Sequence, residues 1–289
     1  MPILIGILPA LLWGIGPLIA TKAGGRPIDQ LMGTVYGQVA VGLVLYIIFR
    51  PELTLSGFIW CFAGGALWSI AQLMQFAAFT KMNVSTAMPI STGLQLVEIP
   101  LIGVIVWGEW GSATAKLIGF ISILVLIVGI TLTSIQDGSV ERPKMDYKSG
   151  LTLLIVGSLG YTACSVFPRV PNASGLSSLF PQTLGMFFGG VVLGLFLQTK
   201  DHKPLFFTKP AFKSTTIGIT GGFGVLAYLT SLKLNGVATA FPLTQLNVII
   251  STLGGIIILH EHKNKKELTF TIIGLLLVIG SAFMISRLE

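Results

Sequence analysis

Charge is what this sequence has least of. Asp, Glu, Lys and Arg make up 10% of its 289 residues, against about a quarter in an average soluble domain. With 53% hydrophobic residues and a mean hydropathy of +0.86, a water-soluble fold is excluded. Cysteine is nearly absent too: Cys61 and Cys164 both fall inside apolar runs and read as small packing residues, not as a disulfide. No GxxxxGK[ST] phosphate loop occurs, so ATP does not drive this protein directly. A nucleophile elbow and a Ser–His–Asp set are also lacking, which argues against an enzyme. His260-Glu261-His262 is not an HExxH metal motif, because successive helical residues point about 100° apart and cannot converge on one ion. Neither a metal nor a cofactor is expected. The first apolar stretch, MPILIGILPALLWGIG, has no preceding basic residue and no convincing small-residue cleavage site, so it is expected to stay as a membrane span.

What the chain does have is long apolar runs. Ten are present: Ile3–Thr21, Leu31–Phe49, Phe58–Thr80, Val84–Trp107, Leu117–Ile135, Leu151–Phe167, Leu179–Leu197, Thr215–Leu232, Val237–Leu259 and Leu268–Ile285. About 20 residues at 1.5 Å each cross the roughly 30 Å hydrocarbon core. In lipid the backbone must satisfy its own hydrogen bonds, so these runs are expected to be helices. The expected class is all-α, a multi-pass protein of the cell membrane with the lipid bilayer as its surroundings. The net charge of +7 does not point to nucleic acid, because it follows membrane topology. Loops 1–2, 3–4, 5–6, 7–8 and 9–10 hold 13 of the 18 Lys and Arg, and the other side holds five: Arg50, Lys116, Arg169, Lys233 and Arg287. Positive charge stays in the cytoplasm, which predicts extracellular termini.

The most polar stretch, QDGSVERPKMDYKSG at 136 to 150, follows five spans. It divides the chain into a first five-helix repeat (1–137), a cytoplasmic linker (138–149) and a second five-helix repeat (150–289). A shift of 152 positions superposes Gly33, Gly37 and Gly42 on Gly185, Gly189 and Gly194, Lys81 and Asn83 on Lys233 and Asn235, and Glu109 on Glu261. With one inserted residue, AMPIS (87 to 91) falls on AFPLT (240 to 244). Spans one and six align poorly. An odd number of spans per half forces the second half to insert upside down, giving two inverted repeats, an architecture of alternating-access transporters with a site near mid-membrane. Gly33-x-x-x-Gly37, Gly185-x-x-x-Gly189 and Gly218-x-x-x-Gly222 let helices approach closely, within one protomer in preference to a dimer interface. The oligomeric state is left open.

Glu98, in AMPISTGLQLVEIPLIG (87 to 103), is the single Asp, Glu, Lys, Arg or His inside the ten apolar cores. It lies about 21 Å from one end of its span and about 14 Å from the other by the helical rise. An ionised acid so deep costs roughly 2.5 kcal/mol or more, so it is expected to face a cavity and exchange a proton. The plain alternative is an acid that only ties span four to a neighbour. Ser91, Gln95 and Glu98 share one helix face, and Thr244, Asn247 and Ser251 form the matching stripe on span nine. Pro89, Pro100 and Pro242 are expected helix breaks that free carbonyls toward a cavity. Trp68, Gln72, Gln75 and Phe79 line one face of span three. Amides that donate and accept, beside rings that cover apolar sugar faces, suit a neutral polyhydroxylated ligand, and equally suit plain helix–helix bonding. Trp13 in span one, and Tyr161 and Tyr228, are weaker candidates.

The ten-span layout, the proline-bearing fourth and ninth spans and the acidic exits WGEW (107 to 110) and HEH (260 to 262) resemble the drug/metabolite transporter superfamily. Within it, LLWGIGPLIATKAGG (11 to 25) and STAMPISTGLQLVEIPLIGVIVWGEW (85 to 110) resemble the bacterial glucose/ribose uptake branch, the glucose uptake protein family, over essentially the whole chain. The resemblance implies uptake of a monosaccharide, glucose first, driven by the proton gradient in a low-GC Gram-positive bacterium. The expected partners are thus a small neutral sugar and protons. A proton symporter would bind sugar through Trp13 or Trp68, Gln72, Gln75, Gln95 and Asn247, with Ser91 and Thr244 beside them, and would use Glu98 for coupling. The alternative in the same fold is an exporter of metabolites or cationic drugs, for which Glu98 supplies negative charge. A non-transporting sensor or assembly partner would need an extramembrane domain that the short loops do not provide.

Overall fold

In the computed structural model, residues 2–108, 110–135, 145–173, 175–201, 207–235, 243–285 and 288 are described. Among them helix is the one regular secondary structure: α1 (Pro2–Gly14), α2 (Gly16–Ala23), α3 (Pro27–Phe49), α4 (Leu55–Phe79), α5 (Val84–Trp107), α6 (Ala113–Thr133), α7 (Tyr147–Val166), α8 (Leu176–Asp201), α9 (Lys209–Asn235), α10 (Asn247–Ile258) and α11 (Lys265–Ile285), with a 3-10 turn at Phe167–Arg169. Eight described segments are long and apolar enough to cross a membrane. The fold is that of an all-helical polytopic membrane protein. α9 and the 12-residue α10 stand where spans eight and nine are expected. Leu4, Ile48, Leu124, Leu159, Phe196 and Leu276 are among the exposed apolar side chains that suit a lipid-facing surface.

Helix starts are written locally. Thr54 Oγ1 accepts from the Gly57 amide of α4, and Ser112 Oγ from the Ala115 amide of α6, each satisfying a donor that the first turn leaves free. Asn264 and Glu267 cap each other reciprocally ahead of α11. Outside the spans, Asp146 accepts from the Ser149 amide at the start of α7. Hydrogen bonding from Ser149 and the nearby Lys81 ammonium hold its carboxyl below the usual carboxylate range.

Span one differs from the unbroken run expected from the sequence. It is two helices joined at Ile15, because Pro17 has no amide proton and leaves the Trp13 carbonyl without its partner one turn on. Conversely, α5 runs as helix through Pro89 and Pro100. Those prolines remove single backbone bonds without ending the helix, so the expected breaks there are not realised. Pro242 and Glu109 lie outside the described residues.

The bundle is held by close backbone approaches between spans distant in sequence. α3 packs on α9 and α4 on α8, while α7 packs on α4, α1 on α9, α3 on α8 and α6 on α11. A methyl added at Gly33 would lie 2.0 Å from the Ala211 carbonyl oxygen, and one at Gly37 2.3 Å from that of Thr215. On the other pair, methyls added at Gly185 and Gly189 would lie 2.0 and 2.7 Å from the carbonyl oxygens of Phe62 and Ala66. In both pairs the contacts advance together along the two helices, so α3 and α9 run parallel, as do α4 and α8. The glycine faces read from the sequence are therefore packing surfaces within one chain. Cys61 and Cys164 are free and buried, and the Gln182 amide donates to the Cys164 carbonyl at 2.9 Å.

Gly33→Ala is expected to cost about 1–3 kcal/mol through forced separation of α3 and α9. Gly280→Ala, where a methyl would meet nothing within 4 Å, should be neutral or stabilising by up to about 1 kcal/mol. Thermal unfolding in detergent checks the pair, and equal shifts would contradict the close-approach account.

Candidate functional site

The polar face of α5 meets those of α4 and α7. Ser91, Gln95 and Glu98 are presented by successive turns of α5. From α4 come Trp68, Gln72 and Gln75, and from α7 come Ser158, Tyr161 and Thr162, at the i, i+3, i+4 spacing that puts three side chains on one face. The Gln75 amide donates to Ser91 Oγ at 2.7 Å, joining α4 to α5. The Tyr161 hydroxyl reaches Gln72 Oε1 at 3.1 Å and Gln75 Oε1 at 3.0 Å, joining α7 to α4. Gln72 donates to Gln75 at 3.3 Å, and Gln95 to the Ser91 carbonyl at 3.2 Å. Trp68 stands edge-on to Tyr161, ring centres 6.3 Å apart at 75°.

Glu98 belongs to the same interface. Its two carboxylate oxygens accept separately, one from Ser158 Oγ and the other from Thr162 Oγ1 at 2.6 Å. The acid is half-buried and turned toward α7, across the midpoint of the chain. Ser251, at the matching position of α10, instead returns its hydroxyl to the carbonyls of Asn247 and Val248. Among the described residues, Ser251 therefore makes no tie between helices of the kind that Glu98 makes. Ser158 and Thr162 were not singled out in the sequence, although their spacing around Tyr161 in an otherwise apolar span was the available signal.

The remaining candidates form a second group. Trp13 donates its indole N–H to the Gly221 carbonyl at 3.2 Å and packs on Tyr228 at 6.1 Å. It fills the notch at Gly224, where a methyl would lie 2.4 Å from the indole nitrogen. This indole joins α1 to α9 and meets none of the three glutamines. Asn247 begins α10 beside Gly14 of α1, and its Oδ1 is buried with no partner among the described residues. Thr244 is fully buried and accepts from the Gln245 amide. The structure thus gathers Trp68, Gln72, Gln75, Ser91 and Gln95 into one network with Tyr161, holds Glu98 beside it on Ser158 and Thr162, and sets Trp13, Asn247 and Thr244 around α1, α9 and α10. A separate pocket, lined by Phe79, Thr80, Lys81, Met82, Asn83, Met145 and Asp146, lies at the bundle end and includes none of these residues.

Glu261, of the His-Glu-His exit, has a definite partner. Its Oε1 accepts from the Val84 amide at 2.8 Å and its Oε2 from the Ser85 amide at 2.9 Å. A carboxylate at a helix N-terminus satisfies orphan donors and complements the dipole, so the α10–α11 turn is latched to the start of α5. Gly255 makes room for it: a methyl there would sit 2.7 Å from Glu261 Oε2.

With the geometry in hand, comparison with known proteins gives a clear relation. A family model described as "Sugar transport protein" matches residues 4–288. The chain belongs to that family. This member is 42% identical over 285 residues to a Listeria monocytogenes protein provisionally named for sugar uptake, covering 99% of this chain and 98% of the relative. It is 41% identical over 284 residues to the glucose uptake protein of Bacillus subtilis, covering 98% and 96%. A Latilactobacillus sakei protein provisionally named for ribose uptake is 42% identical over 281 residues, covering 96% and 95%. A solved crystal structure shares the fold, with TM-score 0.68 at 15% identity over 100% of this chain and 99% of that one.

Removing the α5 cap should be measurable. Glu261→Ala is expected to lower stability by about 1–2 kcal/mol, and Glu261→Gln by less because one amide oxygen still accepts. Thermal unfolding in detergent reads this directly, and an unshifted Glu261→Ala would remove the latch from the account.

Proposed function

We propose that this protein imports a monosaccharide, glucose first, by proton symport. Access would alternate between two inverted five-helix repeats, with both termini outside the cell and residues 138–149 in the cytoplasm. The observation that carries the reading is the polar interface of α4, α5 and α7, where the Gln72, Gln75 and Gln95 amides and the Trp68 ring lie beside the acid Glu98. Amides beside an aromatic ring match the alternating donors, acceptors and apolar faces of a sugar. Family membership and relatives named for sugar, glucose and ribose uptake support the same substrate class.

The inverted-repeat reading draws support from the packing. Three of the contacts between halves have counterparts under exchange of the halves: α3 on α9 with α8 on α4, α1 on α9 with α7 on α4, and α5 on α7 with α10 on α1. Trp13, Asn247 and Thr244 would line the wall opposite the glutamines. Glu98 would leave Ser158 and Thr162 in one state and regain them in the other, taking or releasing its proton as the halves rock. Ribose is the second substrate reading, favoured by the L. sakei relative.

Labelled glucose uptake by sugar-transport-deficient cells making this protein is expected to accumulate the sugar and to collapse with a protonophore. Excess unlabelled ribose separates the two substrates. Uptake indifferent to the protonophore would replace symport by facilitated diffusion. No uptake of either sugar, together with resistance to toxic amines, would turn the reading to export.

A further inference from the structure

The three glutamines are not equivalent. Gln75 is buried, with 8% exposure, and both ends of its amide are engaged. Its oxygen accepts from Tyr161 and Gln72, and its nitrogen donates to Ser91. Gln72 and Gln95 are only half-buried. Gln95 Oε1 has no partner among the described residues, and the Gln72 nitrogen uses one of its two hydrogens, on a long bond of 3.3 Å. Capacity to bind a ligand therefore sits on Gln72 and Gln95, while Gln75 is consumed in holding them.

What fixes the direction of these amides is Tyr161. An amide can face a neighbour with either end, and its orientation follows its hydrogen-bond partners. The single phenol hydrogen is shared between Gln75 Oε1 at 3.0 Å and Gln72 Oε1 at 3.1 Å, which favours both oxygens facing α7. That turns the Gln75 nitrogen to Ser91 and leaves the outer Gln72 N–H unfilled, beside the Gln95 amide, whose own N–H to the Ser91 carbonyl turns its Oε1 outward. The edge-on contact with Trp68 fixes the phenol ring itself, so one residue of α7 sets both the amides and the neighbouring aromatic surface.

We propose that Tyr161 is the positioning residue of the sugar site. Through its hydroxyl it presets Gln72 as a donor beside the Gln95 acceptor, and so favours a sugar that offers an acceptor oxygen and a donating hydroxyl side by side. This rests on the monosaccharide-uptake reading above. The residue acts through Gln72 without needing to touch sugar, which separates it from a ring that merely fills space.

The test is a double-mutant cycle on uptake kinetics in the full-length protein, with the sugar the wild type takes up. Tyr161→Phe keeps the ring and its contact with Trp68, and is expected to raise KM about tenfold with a near wild-type maximal rate. It should also narrow the preference between glucose and its epimers. In a Gln72→Ala background the same change should add less than about twofold, because the group it orients is gone. Unchanged KM in Tyr161→Phe, a fall in maximal rate alone, or full additivity with Gln72→Ala would each overturn the proposal while leaving sugar uptake standing. A wild type that takes up no monosaccharide would overturn both together. If Tyr161→Phe fails to reach the membrane, Gln72→Ala against Gln75→Ala decides: Gln72→Ala must raise KM at least as much, and the reverse order overturns the proposal.

Discussion

Close backbone contact between helices far apart in sequence is the constraint on which everything else in this fold depends. Lipid offers apolar side chains no reason to leave it, so spans associate through packing and interhelical hydrogen bonds. Here the packing is made by glycines facing carbonyls: Gly33 and Gly37 against Ala211 and Thr215, Gly185 and Gly189 against Phe62 and Ala66. These approaches bring α3 to α9 and α4 to α8, and each joins one half of the chain to the other. α7 is then laid along α4, where its hydroxyls meet the polar face of α5. Ser69, whose hydroxyl donates to the Met186 carbonyl at 2.6 Å, adds one polar clasp to the α4–α8 pair.

Polar groups in such an interior need partners from other helices, and the network around Glu98 supplies them. A carboxylate at that depth takes two hydroxyls of α7, one for each oxygen. Three amides share a serine and a tyrosine. The symmetry of the packing does not extend to this chemistry. Gln72 of α4 meets Tyr161, whereas Gly224, 152 positions further on in α9, meets Trp13. Where α5 carries Glu98, α10 carries Ser251.

The sequence made the spans legible because about 20 apolar residues in a row have no other physical outcome, and α5 matches its expected run end to end. The break in span one was missed although Gly14, Gly16 and Pro17 announce it, because hydropathy averages over about 20 residues and ignores one lost amide. At Pro89 and Pro100, where breaks freeing carbonyls were expected within the span, α5 continues as helix from Val84 to Trp107. At the site, the helical faces of α4 and α5 were readable from spacing, since polar residues stand out in apolar spans. Their partners on α7 were not, because Ser158 and Thr162 are unremarkable until a three-dimensional neighbour supplies the carboxylate. Glu261 was seen as an acidic exit, but only the fold shows that it caps a helix 176 and 177 positions away.

The central claim is that Glu98 couples protons to sugar while the amides bind it. Reconstituted proteoliposomes separate the two through glucose counterflow, which needs binding and alternation only, and accumulation under an imposed inward proton gradient, which needs coupling too. The account predicts that Glu98→Gln keeps counterflow within a few-fold of wild type and abolishes gradient-driven accumulation. Accumulation that survives in Glu98→Gln would contradict it and leave the acid as a structural tie between α5 and α7.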